Sequence, residues 1–214
     1  MSTTQKGRAR YAVQTYGTTY AEEAHITLRD KPAPLYQLLV LATLLSARIS
    51  ADIAVAAARE LYRAGYRTPQ RMADATWQQR VDALGRGGYR RYDERTATML
   101  GEGAEQLLAD HRGDLRRLRP ADPEDIAELR SGLRAFPGIG PAGADIFCRE
   151  AQAVWRELVP YLDRKTLQGA KRAGLPEDPK ALARLVSGSD LARLAAACVR
   201  AALDPKIATA IEDA

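Results

Sequence analysis

Apolar positions along this chain recur at helical spacing, and strict alternation of apolar and polar residues is nearly absent. The apolar runs are punctuated by Ser, Thr or Asp in front and Gly or Pro behind, so the pattern predicts an all-α protein. Pro34–Ala47 is the first strong helix. Ser50 is placed to cap a second, in which Ile53, Ala56, Ala57, Leu61 and Tyr62 share a face before Gly65 ends it. The pair is expected to fold back on itself. Thr68 with Pro69, and Thr76 before Trp77, open two short helices. After the glycine cluster GRGG (Gly85–Gly88), a longer helix runs from about Arg91 to Asp110, followed by a basic loop, LRRLRPADP. Asp122 and Pro123 open the next helix, with acids in its first turn where the helix dipole favours them. Later helices are expected at Pro141–Val154, after Asp163, after Asp178-Pro179, near Asp190 and after Asp204-Pro205. No internal repeat or low-complexity segment is found.

At 214 residues the chain can bury roughly 70% of its unfolded surface without covalent staples. Its two cysteines, Cys148 and Cys198, lie in apolar helical settings without a second thiol or a His at ligand spacing. That count excludes a structural zinc site and a four-cysteine iron-sulfur cluster, and both thiols are read as small core residues. His25 and His111, in polar surroundings, are read as surface residues. The N-terminal stretch is polar and basic, unlike a secretion signal, and the apolar part of Pro34–Arg48 is short for the ~20 residues of a membrane span. A cytoplasmic protein without a membrane partner is therefore expected. Thirty-two Lys and Arg against 27 acids give a net charge of +5, which tolerates a polyanion partner without demanding one.

One stretch narrows the reading. In AFPGIGPAGADIF (Ala135–Phe147), Pro137 stops an amphipathic helix, Gly138 and Gly140 flank the single apolar Ile139, and Pro141 starts a new helix where a missing N–H costs nothing. Glycines there reach positive φ and let backbone amides approach another molecule. Amides at a helix start, added to its dipole, form a site for an anion such as a phosphate.

The P-G-apolar-G corner, an Asp 25 residues after its first glycine, and the upstream stretches PLYQLLVLATLLSARISADIAVAAARELY and GGYRRYDERTATML together resemble the helix-hairpin-helix DNA glycosylase superfamily of endonuclease III and the alkyladenine glycosylases. The similarity covers Pro34 to Gly174. It implies a two-lobed, all-α fold: a bundle over 34–154 ending in the hairpin, and a second lobe from 1–33 with 155–214. It further implies double-stranded DNA, with or without a lesion, as partner to a monomeric, nucleoid-associated protein of base-excision repair. Gly138, Ile139, Gly140 and Ala142 would take a DNA phosphate, helped by Arg164 and Lys165, and the family allows a monovalent cation at the hairpin.

By the same resemblance Asp163 falls at the catalytic aspartate, whose carboxylate can stabilise a cationic deoxyribose or orient water. Asp163 is equally suited to cap the helix that follows it. The lyase members carry a lysine two residues after the second glycine, where this chain has Ala142, so the implied activity is monofunctional glycosylase without strand-nicking lyase. Lys165 is a second amine nearby, read as solvated or facing phosphate. Because the lysine and the cluster are both missing, a noncatalytic DNA-binding or lesion-sensing protein stands as the alternative. Extruding a base needs a wedge and a pocket. The resemblance places the wedge at Arg48, Ile49 and Tyr89, the last within a basic loop with Arg86, Arg90 and Arg91. Trp155 and Tyr161 bracket the approach to Asp163, as pocket walls or as core.

Overall fold

The computed structural model describes residues 4–122 and 125–214, and its regular elements are helical, with no strand among the described residues. In chain order the first seven helices are α1 (Gln5–Tyr16), α2 (Tyr20–Glu23), α3 (Pro32–Leu45), α4 (Ala51–Arg63), α5 (Pro69–Asp74), α6 (Trp77–Arg86) and α7 (Asp93–His111). Then come α8 (Ile126–Arg134), α9 (Pro141–Ala151), α10 (Arg164–Arg172), α11 (Pro179–Ala183), α12 (Leu191–Leu203) and α13 (Pro205–Glu212). No helix among the described residues is long and apolar enough to cross a membrane.

Helix starts follow from local chemistry. Ser50, Thr68, Thr76 and Asp178 each accept the backbone amide three residues on, and Thr76 with Gln79 forms a full capping box. Each such cap is worth about 1 kcal/mol. Three boundaries differ from the sequence reading: α3 begins two residues earlier, because Pro32 and Pro34 both fit a first turn, and ends at Leu45 rather than Ala47, and α9 ends at Ala151 rather than Val154. The expected start of α8 at Pro123 lies outside the described residues. Helix α1 is not anticipated by the periodicity, because only alanines mark its buried face, at Ala9 and Ala12.

The chain divides into two units, residues up to Tyr20 with Arg149–Ala214, and Ala21–Cys148. In the second of these, the short connection 46–50 folds α4 onto α3. Helix α3 has Leu35, Tyr36, Leu38, Leu39, Leu41 and Leu44 buried in succession, as an all-round apolar helix requires. The long α7 packs on α5 and α6. A buried guanidinium ties the three together: Arg80 donates from Nε to the Ala97 carbonyl (2.8 Å) and from Nη1 to those of Met72 (2.9 Å) and Ala75 (2.7 Å). Those bonds offset the desolvation of the cation.

The other unit is built around α12, against which α10, α1 and α13 pack. Its core is rich in alanine, with Leu175, Leu182, Leu194 and Ile211 as the bulky members. Helices lined by alanine approach closely, and at Gly169 of α10 a Cβ would fall 1.6 Å from the Cys198 carbonyl oxygen of α12. This contact fixes α10, and with it the residue at its N-terminus. Both cysteines are buried, and desolvation pushes the Cys198 thiol up to about 12, which leaves it protonated and inert.

Candidate functional site

The glycine corner folds as a helix-hairpin-helix. Helix α8 buries Leu129 and Leu133, and its last amide bonds carry on through Phe136, which donates to the Leu133 carbonyl (3.2 Å). Gly138 then turns at φ +82°, a region where L side chains are strained, and the Ile139 amide closes the turn on the Phe136 carbonyl (3.1 Å). Phe136 and Ile139 are buried while Gly138, between them, is exposed. The turn sits tightly on the bundle: a Cβ on Gly138 would lie 2.9 Å from Thr43 Cγ2 of α3 and 3.1 Å from Met99 Sδ of α7.

Pro141 opens α9. The first amide bond into the new helix is Ala144 N–H to the Gly140 carbonyl (3.0 Å), and the amides of Gly140, Ala142 and Gly143 have no partner among the described residues. These donors lie at the positive end of the helix dipole. Around Gly140 a Cβ would meet nothing within 4 Å. Gly143 lets the start of α9 approach the end of α3, since a Cβ there would stand 2.3 Å from Ser46 Oγ. The turn carrying exposed Arg48 and half-buried Ile49 begins at Ser46, so this turn and the hairpin are neighbours.

The GRGG turn has a different character. Gly87 is pressed on α4, where a Cβ would lie 2.3 Å from Ala57 Cα. Tyr89 is 1% exposed; Thr96 Oγ1 donates to its hydroxyl (3.4 Å), and burial pushes the phenol above its ordinary value while that bond opposes the shift. The placement of Tyr89 as a duplex wedge is therefore corrected: its ring is core, because packing against the bundle outweighs exposing it beside three arginines. Arg86, Arg90 and Arg91 do remain exposed. Arg86 pairs loosely with Glu60 (3.4 Å) and Arg91 stacks over Tyr92 (5.2 Å).

In the other unit, Asp163 is the N-cap of α10. Its Oδ1 accepts from the Thr166 amide (3.1 Å) and the Thr166 hydroxyl (2.5 Å), while Oδ2 accepts from Arg149 Nη1 (2.8 Å). The Arg149 and Asp163 side chains are 5% and 7% exposed, so this is a buried ion pair. Both carboxylate oxygens are thus engaged, and the negative charge faces a guanidinium as well as a helix N-terminus. Buried Gln152 braces the approach, donating to the carbonyls of Arg149 (2.9 Å) and Tyr161 (3.0 Å) and accepting the Tyr161 amide (3.0 Å). Arg164 is exposed, and Lys165 reaches Gln168 on its own helix (3.4 Å).

Trp155 is fully buried and Tyr161 is 9% exposed. Of the two readings, pocket wall or core, the burial of both rings selects core, and Trp155 has no accessible face to offer a base. Sequence reasoning missed Arg149. Arg149 and Glu150, adjacent charges next to the apolar run Ile146–Cys148, were the available sign, since a charge beside such a run must be paired or exposed.

No family model matches this chain, and no curated protein matches it. Among solved structures it is similar to a trapped endonuclease III–DNA covalent intermediate, an estranged-adenine complex. The identity is 19% and the TM-score 0.48, over 91% of this chain and 84% of that one.

Proposed function

We propose that the protein binds duplex DNA through the α8–α9 hairpin and acts in base-excision repair as a monofunctional glycosylase with Asp163 at its reaction centre. The observation that carries the reading is the set of amides at Gly140, Ala142 and Gly143 without a partner among the described residues, behind the exposed Gly138 turn, a geometry suited to a strand phosphate. Arg48 and Ile49, in the neighbouring turn, are the remaining wedge residues, and Arg164 and Lys165 supply positive charge in the second lobe of the proposed two-lobed arrangement.

In the proposed reaction the C1′–N bond breaks with its electron pair leaving on the base. The deoxyribose cation is stabilised by the Asp163 carboxylate, water adds to C1′, and the proton that water loses passes to the departing base, giving a free base and an abasic site. Arg149 and Thr166 hold that carboxylate in one orientation. With Ala142 at the position of the family's lysine, no covalent amine step is invoked.

The Arg149 ion pair also favours the second reading, a noncatalytic DNA-binding protein on the same scaffold, because a carboxylate already facing a guanidinium offers less to a developing cation. A single-turnover assay separates the two. Duplexes carrying uracil, hypoxanthine, 3-methyladenine, 8-oxoguanine or thymine glycol are incubated with protein and read with and without alkali. The glycosylase gives alkali-dependent breaks that vanish in Asp163→Asn while duplex binding persists. Salt-dependent binding with no break on any lesion selects the binder, and no duplex binding removes both.

Asn keeps the cap but leaves Arg149 buried without a counter-charge, at a cost of about 3–5 kcal/mol. A melt therefore accompanies the assay. The double variant Asp163→Asn with Arg149→Met should recover most of that stability without recovering turnover.

A further inference from the structure

A basic cavity lies elsewhere in the Ala21–Cys148 unit. The cavity, of about 110 Å³, is bounded by His25, Gln37, Arg59, Tyr62, Arg63 and Arg67. Three arginines within nine residues line it, and like charges on one small cavity repel unless something offsets them.

One offset is local. Arg67 donates from Nε to the Tyr62 carbonyl (2.9 Å) near the end of α4, where cations offset the helix dipole. Arg59 does not fit that explanation. It lies a turn before the helix end, and its Nε donates outward to the Glu23 carbonyl (2.6 Å), on the segment leading to His25. Both guanidiniums are thereby fixed through Nε, and their terminal nitrogens make no bond to a carboxylate among the described residues. Arg63 is the compensated member, paired with Glu60, which also meets Arg86.

The walls are tied together too. The Tyr62 hydroxyl donates to the Gln37 carbonyl (2.6 Å), linking α4 to α3 within the lining, to which His25 also belongs with φ 58°. Two guanidiniums anchored through Nε at a cavity of this size keep their terminal nitrogens for the oxygens of a tetrahedral dianion.

We propose that this cavity binds a phosphoryl group, held by the terminal nitrogens of Arg59 and Arg67 with His25 and Arg63 at its edge. Along α3, Gln37 is nine residues from Ser46, about 14 Å at helical rise, so the cavity is separate from the hairpin and does not depend on the reading of it. The phosphoryl group can come from a free phosphate compound or from a nucleic-acid strand.

The test is calorimetric titration of inorganic phosphate into the full chain, with ionic strength held constant by potassium chloride. Arg59→Gln/Arg67→Gln is compared with wild type, and Arg67→Gln alone serves as a second variant because Arg67 is exposed and its loss removes a single bond to the end of α4, with a melt to check folding. Saturable binding weakened about tenfold or more in the variants is expected. A parallel duplex titration against salt identifies the source. For a strand phosphate, the slope of log affinity against log salt falls by about one for each phosphate no longer neutralised. A free phosphate leaves duplex binding unchanged while phosphate binding disappears. Variants indistinguishable from wild type in both titrations overturn the proposal, and a wild type that binds phosphate but no duplex overturns only the reading of the hairpin.

Discussion

Two glycine corners of the Ala21–Cys148 unit look alike in sequence, GRGGY at 85–89 and PGIGP at 137–141, yet their backbones are in opposite states. In the first, every amide from Gly87 to Arg90 donates within the turn: Gly87 and Tyr89 to Leu84, Gly88 to Gly85 and Arg90 to Gly88. In the second, the amides of Gly140, Ala142 and Gly143 are unpaired among the described residues. Glycine serves internal packing in one corner and external approach in the other. The distinction rests on where the hydrogen-bond donors go, since a polar backbone group left without a partner in the protein is available to water or a ligand.

The largest effect that would break this comparison is expected at Gly87. A Cβ there would lie 2.3 Å from Ala57 Cα and 2.5 Å from its nitrogen, and backbone atoms cannot rotate away. Gly87→Ala should destabilise the protein by about 3 kcal/mol, read as a lower denaturant midpoint, with duplex affinity unchanged in the protein that remains folded. Weakened duplex affinity at full stability would make this corner, too, a binding surface.

How far these states could be read from the chain depends on the range of the interaction. Helix starts were legible because Ser50, Thr68, Thr76 and Asp163 bond the amide three residues on, a relation contained within one turn. The hairpin was legible for a similar reason: Pro137, Gly138, Ile139 and Pro141 each restrict or free their own backbone. Tyr89 was misplaced because its burial depends on Gly87 meeting α4, thirty residues upstream. Arg149 was invisible as the partner of Asp163 because no periodicity joins a helix to a cap across an irregular loop. Local geometry can be read from local residue types, whereas the fate of a side chain at a turn is decided by whatever the turn packs against.

A pair of substitutions sharpens the comparison at intermediate size. Gly88 (φ +80°) and Gly138 (φ +82°) demand the same left-handed backbone, which costs roughly 1–2 kcal/mol for an L side chain. A Cβ on Gly88 meets nothing within 4 Å, so Gly88→Ala should cost about that and no more. Gly138→Ala adds a clash with Thr43 Cγ2 at 2.9 Å and should cost about 1 kcal/mol further, measured by the same denaturant titration. Equal losses at the two positions would mean that the hairpin is not seated on α3 and α7.

The smallest stability change is expected at Gly140, and there the comparison becomes one of function. Its φ is not positive and its Cβ would face open space, so Gly140→Ala should shift stability by less than about 0.5 kcal/mol. The added methyl would nevertheless stand before the unpaired amides, holding a phosphate away from donors that need an approach of about 2.9 Å. Duplex affinity should fall about tenfold, the equivalent of one charge-assisted hydrogen bond, with no change in the melting profile. Stability and binding then part company at Gly140, and at Gly87 they part in the opposite sense. A Gly140→Ala protein that binds duplex as wild type does would show that the free amides are turned to water alone, and the hairpin would be left with the packing role of its counterpart.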